Sequence, residues 1–261
     1  MIKSPVESLE TTDLFFGPFL KVDRAYQHIA ELETIFGVFL ATNQNLLAGE
    51  PHHDVGKETV LGQGFPIHTA AVLGDAIHNL RAALDHAYCI LIEQNSQVVD
   101  DGTYFPFLKD GKGLKGTIYG GKKPKPVPNS KIIRCIVEDI QPYTGGKLSL
   151  YDLHLLDRTD KHRVLIPTAL TMTVGVLEIT TAAGKVITWE GGTFVADHGK
   201  PHTSGFFSAP GGTIKDKGDT QTSFDISFGE GQPCQGEAVI PKLHDLGLSV
   251  IAALKLLETR M

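Results

Sequence analysis

The stretch from Leu73 to Leu91 constrains the fold more than any other. Leu73, Ile77, Leu80, Leu84, Ala87, Tyr88 and Leu91 recur at the three- and four-residue spacing of a helix that turns one face to a core. The rest of its surface is crowded with Asp75, His78, Asn79, Arg81, Asp85 and His86, beside small alanines. A helix apolar on one side and titratable on the others is both an organiser of the core and a candidate site.

Other periodic stretches surround it. One starts near Pro18, a residue suited to a first helical turn. Val22, Ala25, Tyr26, Ile29, Leu32, Phe36, Phe39 and Leu40 then keep one face, and the stretch runs on to Leu46, a length of about 40 Å. The central helix is predicted from about His68 to Gln94, long enough to lie antiparallel to the first. A short helix capped by Asn129 or Ser130 stops before Gln141-Pro142. Another covers Leu148 to Asp157 and leads into a charged turn, Asp157 to Arg163. From Val164 the texture turns to strands: Val164–Ile166, Val174–Thr180, Lys185–Glu190, Thr193–Ala196, Thr222–Phe228 and Glu237–Ile240. Turns are expected at Ala183-Gly184 and Gly191-Gly192, and irregular chain from Asp197 to Gln221. A last helix runs from Pro241 to about Glu258, with Leu243, Leu246, Val250, Ala253, Leu254 and Leu257 on its apolar face. The fold class expected is α+β, a helical bundle with an antiparallel β-sheet lobe inserted before the C-terminal helix. The boundaries are 1–162 for the bundle, 163–240 for the β-rich lobe and 241–261 for the helix that returns to the bundle.

Charge and cysteine usage narrow the classes of function. The net charge of -6 predicts no general affinity for nucleic acid. Its distribution is uneven, because Lys109 to Arg134 holds eight basic residues against Asp110 alone. Three separated cysteines without a CxxC pattern argue against a disulfide framework and for a reducing compartment. The first residues hold no apolar leader, and no apolar run approaches a membrane span. A cytoplasmic protein without membrane attachment is the expectation.

Within the basic segment, Gly111 to Gly116 spells GxGxxG. Gly120, Gly121 and three prolines follow, and no βαβ context surrounds it, so a solvated loop is expected rather than a dinucleotide site. His52 and His53 read as loop residues, and His198 to His202 as a turn rather than a metal site. GxSxG, SxxK, HExxH and Walker A motifs are absent. What remains is a set of arginine, histidine and aspartate with neither metal nor nucleophile expected. Such a set suits phosphodiester chemistry on RNA: a histidine takes the 2′-hydroxyl proton and an arginine stabilises the charge that builds on phosphorus. Arg81 and Asp85, four apart, also make an intrahelical ion pair, which is the simpler role for both.

Arg81-Ala82-Ala83-Leu84-Asp85-His86 resembles the R-x4-6-H motif of HEPN ribonuclease domains. That resemblance implies an all-α bundle that works as a homodimer and cuts RNA without metal. More broadly, the succession Asn79 to His86, Phe105-Pro106, Gln141-Pro142-Tyr143 and Asp160-Lys161-His162-Arg163 is similar to a widespread family of uncharacterised bacterial proteins, which implies a shared fold. The reading is a metal-independent endoribonuclease of HEPN-like type, related to defence or to a toxin, with Arg81, Asp85, His86 and His162 catalytic. His78, Asn79, Asp160, Lys161 and Arg163 would bind RNA, with no cofactor. Two alternatives stay open: a small-molecule hydrolase or binding protein with its pocket between bundle and sheet, and a non-catalytic interaction protein in which these residues form a buried network. Common to all three is the expectation that the Asp160–Arg163 cluster lies against the central helix near Arg81, Asp85 and His86.

Overall fold

The computed structural model describes residues 11–47, 68–120, 124–163, 168–197, 213–216, 223–229 and 231–261. His52, His53, the His198–His202 pattern and the strand expected at Val164–Ile166 lie outside the described residues. The described chain is mainly helical: α1 (Phe16–Leu47), α2 (His68–Gln94), α3 (Leu114–Tyr119), α4 (Ser130–Arg134), α5 (Tyr151–Arg163) and α6 (Val239–Glu258). It forms two compact units. One comprises Met1–Leu32, Ala70–Ile166 and Ile240–Met261, the other Glu33–Thr69 and Pro167–Val239.

In the first unit the apolar faces read from the sequence are the buried ones. On α2 the seven periodic residues are at most 4 % exposed, and Ala76 and Ala83 are buried too. On α6, Leu243, Leu246, Val250, Ala253, Leu254 and Leu257 are all buried. The helices meet through specific contacts. Gly247 of α6 lies so close to Tyr26 of α1 that an added Cβ would stand 2.6 Å from the phenol oxygen. Lys242 of α6 donates to Asp152 of α5 at 2.7 Å. Glu258, at the end of α6, accepts from the Thr12 N–H and from both threonine hydroxyls ahead of α1.

Two local readings change. The charged run Asp157–Arg163 is not a turn but the last half of α5, which starts at Tyr151. It contains no Gly or Pro to stop a helix, and Lys161 pairs with Asp157 one turn back. The GxGxxG segment is a turn of 3-10 helix, Gly111–Gly113, followed by the six residues of α3, so a short helix does follow. Asp110 starts it by accepting from the Lys112 N–H. Asn129 caps α4, accepting from the N–H groups of Lys131 and Ile132. The chain then continues as a π turn, Cys135–Ile140, and leaves it at Gln141 in a left-handed conformation before Pro142.

In the second unit β1 (Thr168–Thr180) pairs antiparallel with β2 (Val186–Asp197) along nearly its whole length. Its other edge takes β3 (Thr213–Asp216) and β4 (Ser223–Phe228), also antiparallel. Gly191-Gly192, read as a turn, lies inside β2, with Gly192 opposite Val174. Glycine is tolerated in a strand where another backbone comes close. β3 falls in the stretch read as irregular. Glu237–Ile240, read as a strand, gives only one bridge, Ala238 to Ser227, before α6 begins at Val239.

Candidate functional site

Arg81 is 6 % exposed. A guanidinium so deeply placed needs compensation, since an unpaired buried charge is far costlier than any single contact is favourable. Asp85, one helical turn on, accepts from its terminal nitrogen. The same carboxylate oxygen accepts from the backbone N–H of Phe105 at 2.8 Å. Arg81 in turn reaches toward the Phe105 carbonyl at 3.5 Å and covers the Phe107 ring, 4.4 Å from its centroid. The pair thus fastens the Phe105-Pro106-Phe107 segment to α2. Burial pushes the Asp85 carboxyl up; the Arg81 charge and the Phe105 N–H pull the other way without cancelling it.

The Phe107 ring also stacks on His154 of α5, with centroids 5.0 Å apart and planes within 10° of parallel. Phe107 therefore touches both the guanidinium and the imidazole. Burial lowers the His154 pKa below the ordinary 6.5, and the Arg81 and Arg158 charges lower it further. The imidazole is neutral at neutral pH and carries a free lone pair. Its ring nitrogens have no hydrogen-bond partner among the described residues.

Arg81, Phe107 and His154 line a cleft of about 240 Å³. Tyr88, Thr103, Tyr104, Thr117 and Lys125 contribute to the rest. Among the described residues the charged groups on its lining are Arg81 and Lys125, and no carboxylate lines it. Drug-sized pockets run from about 300 to 1,000 Å³. This one suits a single ring with an anionic substituent: flat apolar surface on one wall, cationic donors beside it, and a neutral base among them.

The site residues expected from the sequence divide into three places. Arg81 and Asp85 are joined as the spacing suggested, and Arg81 lines the cleft. His86 is exposed and turned toward α1, where its ring lies over Gly17. His78, Asp160 and Lys161 gather on the seam between α2 and α5. His78 Nδ1 is 3.3 Å from Asp157, whose buried carboxylate also accepts from Lys161 at 2.8 Å. Asp160 lies over Gly74, where an added Cβ would stand 2.7 Å from its carboxylate oxygens. Burial, then Asp157 and Asp75, raise its carboxyl pKa. Asn79 donates to the Asp75 carbonyl within α2. His162 is exposed, and the Arg163 side chain lies outside the described residues.

The expected meeting of the two clusters is therefore displaced. Asp160 does lie against α2, but at Gly74, about two turns before Arg81. The partners also differ from those expected. Asp85 holds Arg81 and the Phe105 backbone rather than Lys161 or Arg163, and Lys161 holds Asp157. None of His78, Asn79, Asp160 and Lys161 lines the cleft. Residues missed in the sequence are Phe107, His154, Tyr104 and Lys125. Phe105-Pro106 belongs to the succession of motifs read from the sequence, but nothing in its spacing announces that Phe107 stacks on a histidine from α5.

No family model, curated protein or solved structure matches the chain.

Proposed function

We propose that the protein binds, in the cleft beneath Arg81, a small ligand that carries an anionic group and a flat ring. The observation that carries this reading is the lining itself: among the described residues its charged groups are Arg81 and Lys125, with no acid. Arg81 gives one terminal nitrogen to Asp85 and turns the other toward the Phe105 carbonyl, and of its five N–H groups the rest remain for a phosphate or carboxylate. Exposed Tyr104 offers flat surface to the ring, and Phe107 and His154 offer apolar contact beside it. The function proposed is ligand recognition with His154 available as proton acceptor. The strand unit is read, in the same proposal, as a lobe inserted before α6.

Calorimetric titration tests this with three probes: a 5′-mononucleotide, its nucleoside and inorganic phosphate. The mononucleotide is expected to bind saturably and tighter than either part, and Lys125→Ala to weaken it about tenfold. Equal heats from all three probes, or none, would overturn the reading.

Metal-independent cleavage of RNA is the second reading, and one observation favours it: a neutral, unpartnered imidazole shares the cleft with a buried arginine. His154 would take the 2′-hydroxyl proton as that oxygen attacks phosphorus. Arg81 would stabilise the phosphorane, and His154 would return the proton to the departing 5′-oxygen. The products are a 2′,3′-cyclic phosphate and a 5′-hydroxyl. Incubation of single-stranded RNA with the protein in chelator decides it. Cleavage lost in His154→Ala and kept in His86→Ala supports this reading. The opposite pattern returns the base to His86, and absence of cleavage removes the reaction.

A further inference from the structure

We infer that the cleft receives one unit of a longer polyanion, and that the face of α3 beside it holds the neighbouring phosphates of a single-stranded nucleic acid. The inference rests on the ligand reading above and names its substrate class. Lys112, Lys115 and Tyr119 follow one another at three- and four-residue spacing, so they share one face of the 3-10 turn and α3. All three are exposed, whereas Leu114 and Ile118 on the opposite side are buried. The same helix turns its other side to the cleft, where Thr117 and Ile118 line it, so the exposed face meets the cleft at the end of α3. Gly120, at φ 80°, ends α3 and turns the chain, and the Lys125 N–H then donates to the Tyr119 carbonyl at 3.3 Å. Lys125 thereby sits at the junction, exposed beside Tyr119 and on the lining of the cleft.

The track from Lys112 through Lys115 and Tyr119 to Lys125 thus leads out of the cleft. Asp110, the only acid in the basic segment, is occupied at the start of the track by the Lys112 N–H. Exposed Tyr119 on the track and exposed Tyr104 at the cleft supply flat surfaces between the cations. Alternating cations and aromatic faces fit a strand whose bases are unpaired. A duplex keeps its bases stacked on one another and offers these rings nothing. The net charge of the whole chain is negative, so the attraction is local to this track.

Fluorescence anisotropy on the full chain tests this with a labelled single-stranded oligonucleotide of about ten nucleotides, competed by the mononucleotide and by a duplex of the same length. The single strand is expected to bind tightest. Three lysines at about 0.7 counterions each predict a slope near −2 for log affinity against log salt. The variant Lys112→Ala/Lys115→Ala is expected to bring that slope near −0.7 and to weaken the oligonucleotide at least tenfold, with mononucleotide affinity unchanged. Both lysines are exposed, so the variant's melting temperature should match the wild type and serves as the folding control. An oligonucleotide bound no tighter than the mononucleotide overturns the inference while the ligand reading stands. A slope indifferent to the double substitution does the same, as does preference for duplex. Failure of both single strand and mononucleotide to bind overturns the two together.

Discussion

Asp85 joins two elements through one oxygen, which takes both the Arg81 guanidinium and the Phe105 N–H. Removing it leaves a buried cation and a backbone donor without their acceptor. Asp85→Ala is expected to cost about 3–5 kcal/mol in a urea melt, the range for breaking a buried pair from one side. His86→Ala, at an exposed position, is expected to change stability by less than about 0.5 kcal/mol. Comparable losses in the two melts would contradict the geometry. His154 adds a pH dependence. Its folded pKa lies below the unfolded value, so the unfolded chain binds more protons between the two. Stability from this group is full above about pH 6.5 and falls as pH drops through the folded pKa. His154→Phe should flatten that part of a stability–pH curve, and an unchanged curve would count against the buried neutral imidazole. The Arg81–Asp85 pair was legible because four residues on a helix fix proximity. The stack on Phe107 was not, because it joins residues 107 and 154 through tertiary packing alone.

Long periodic helices were the most legible elements. The apolar faces of α2 and α6 were read residue by residue, because burial repeats with the helical period and sequence carries that repeat directly. Charge misled where it was taken as a sign of irregular chain: Asp157 to Arg163 continues α5, whose polar side chains pair along the helix or across to α2. Glycines misled in the same way, inside β2 and before α3, since glycine permits a turn without requiring one. At Gly247 the demand is different, for the Tyr26 ring leaves no room for a side chain. Gly247→Ala gains up to about 1 kcal/mol of helix propensity and incurs about 1–3 kcal/mol of overpacking. A net loss of stability is expected from thermal melts. A gain would mean that α1 and α6 do not approach as closely as described.

At the scale of the molecule, two compact units share the chain, and the cleft belongs wholly to the mainly helical one. No described helix is long and apolar enough to cross a membrane. The eight basic residues between Lys109 and Arg134 stand out against a chain of net charge -6. That imbalance was plain in the sequence, whereas the cleft it adjoins needed the fold to bring 81, 107, 125 and 154 together. The central claim is that an anion bound there sits beside His154. Proton NMR of the histidine ring signals, titrated with a 5′-mononucleotide and assigned with His154→Asn, tests it most directly. An anion beside the imidazole favours its protonated form. The His154 pKa is expected to rise on saturation, with the His86 and His162 ring signals unmoved by the ligand. A saturating shift at His86 or His162 with none at His154 would contradict it.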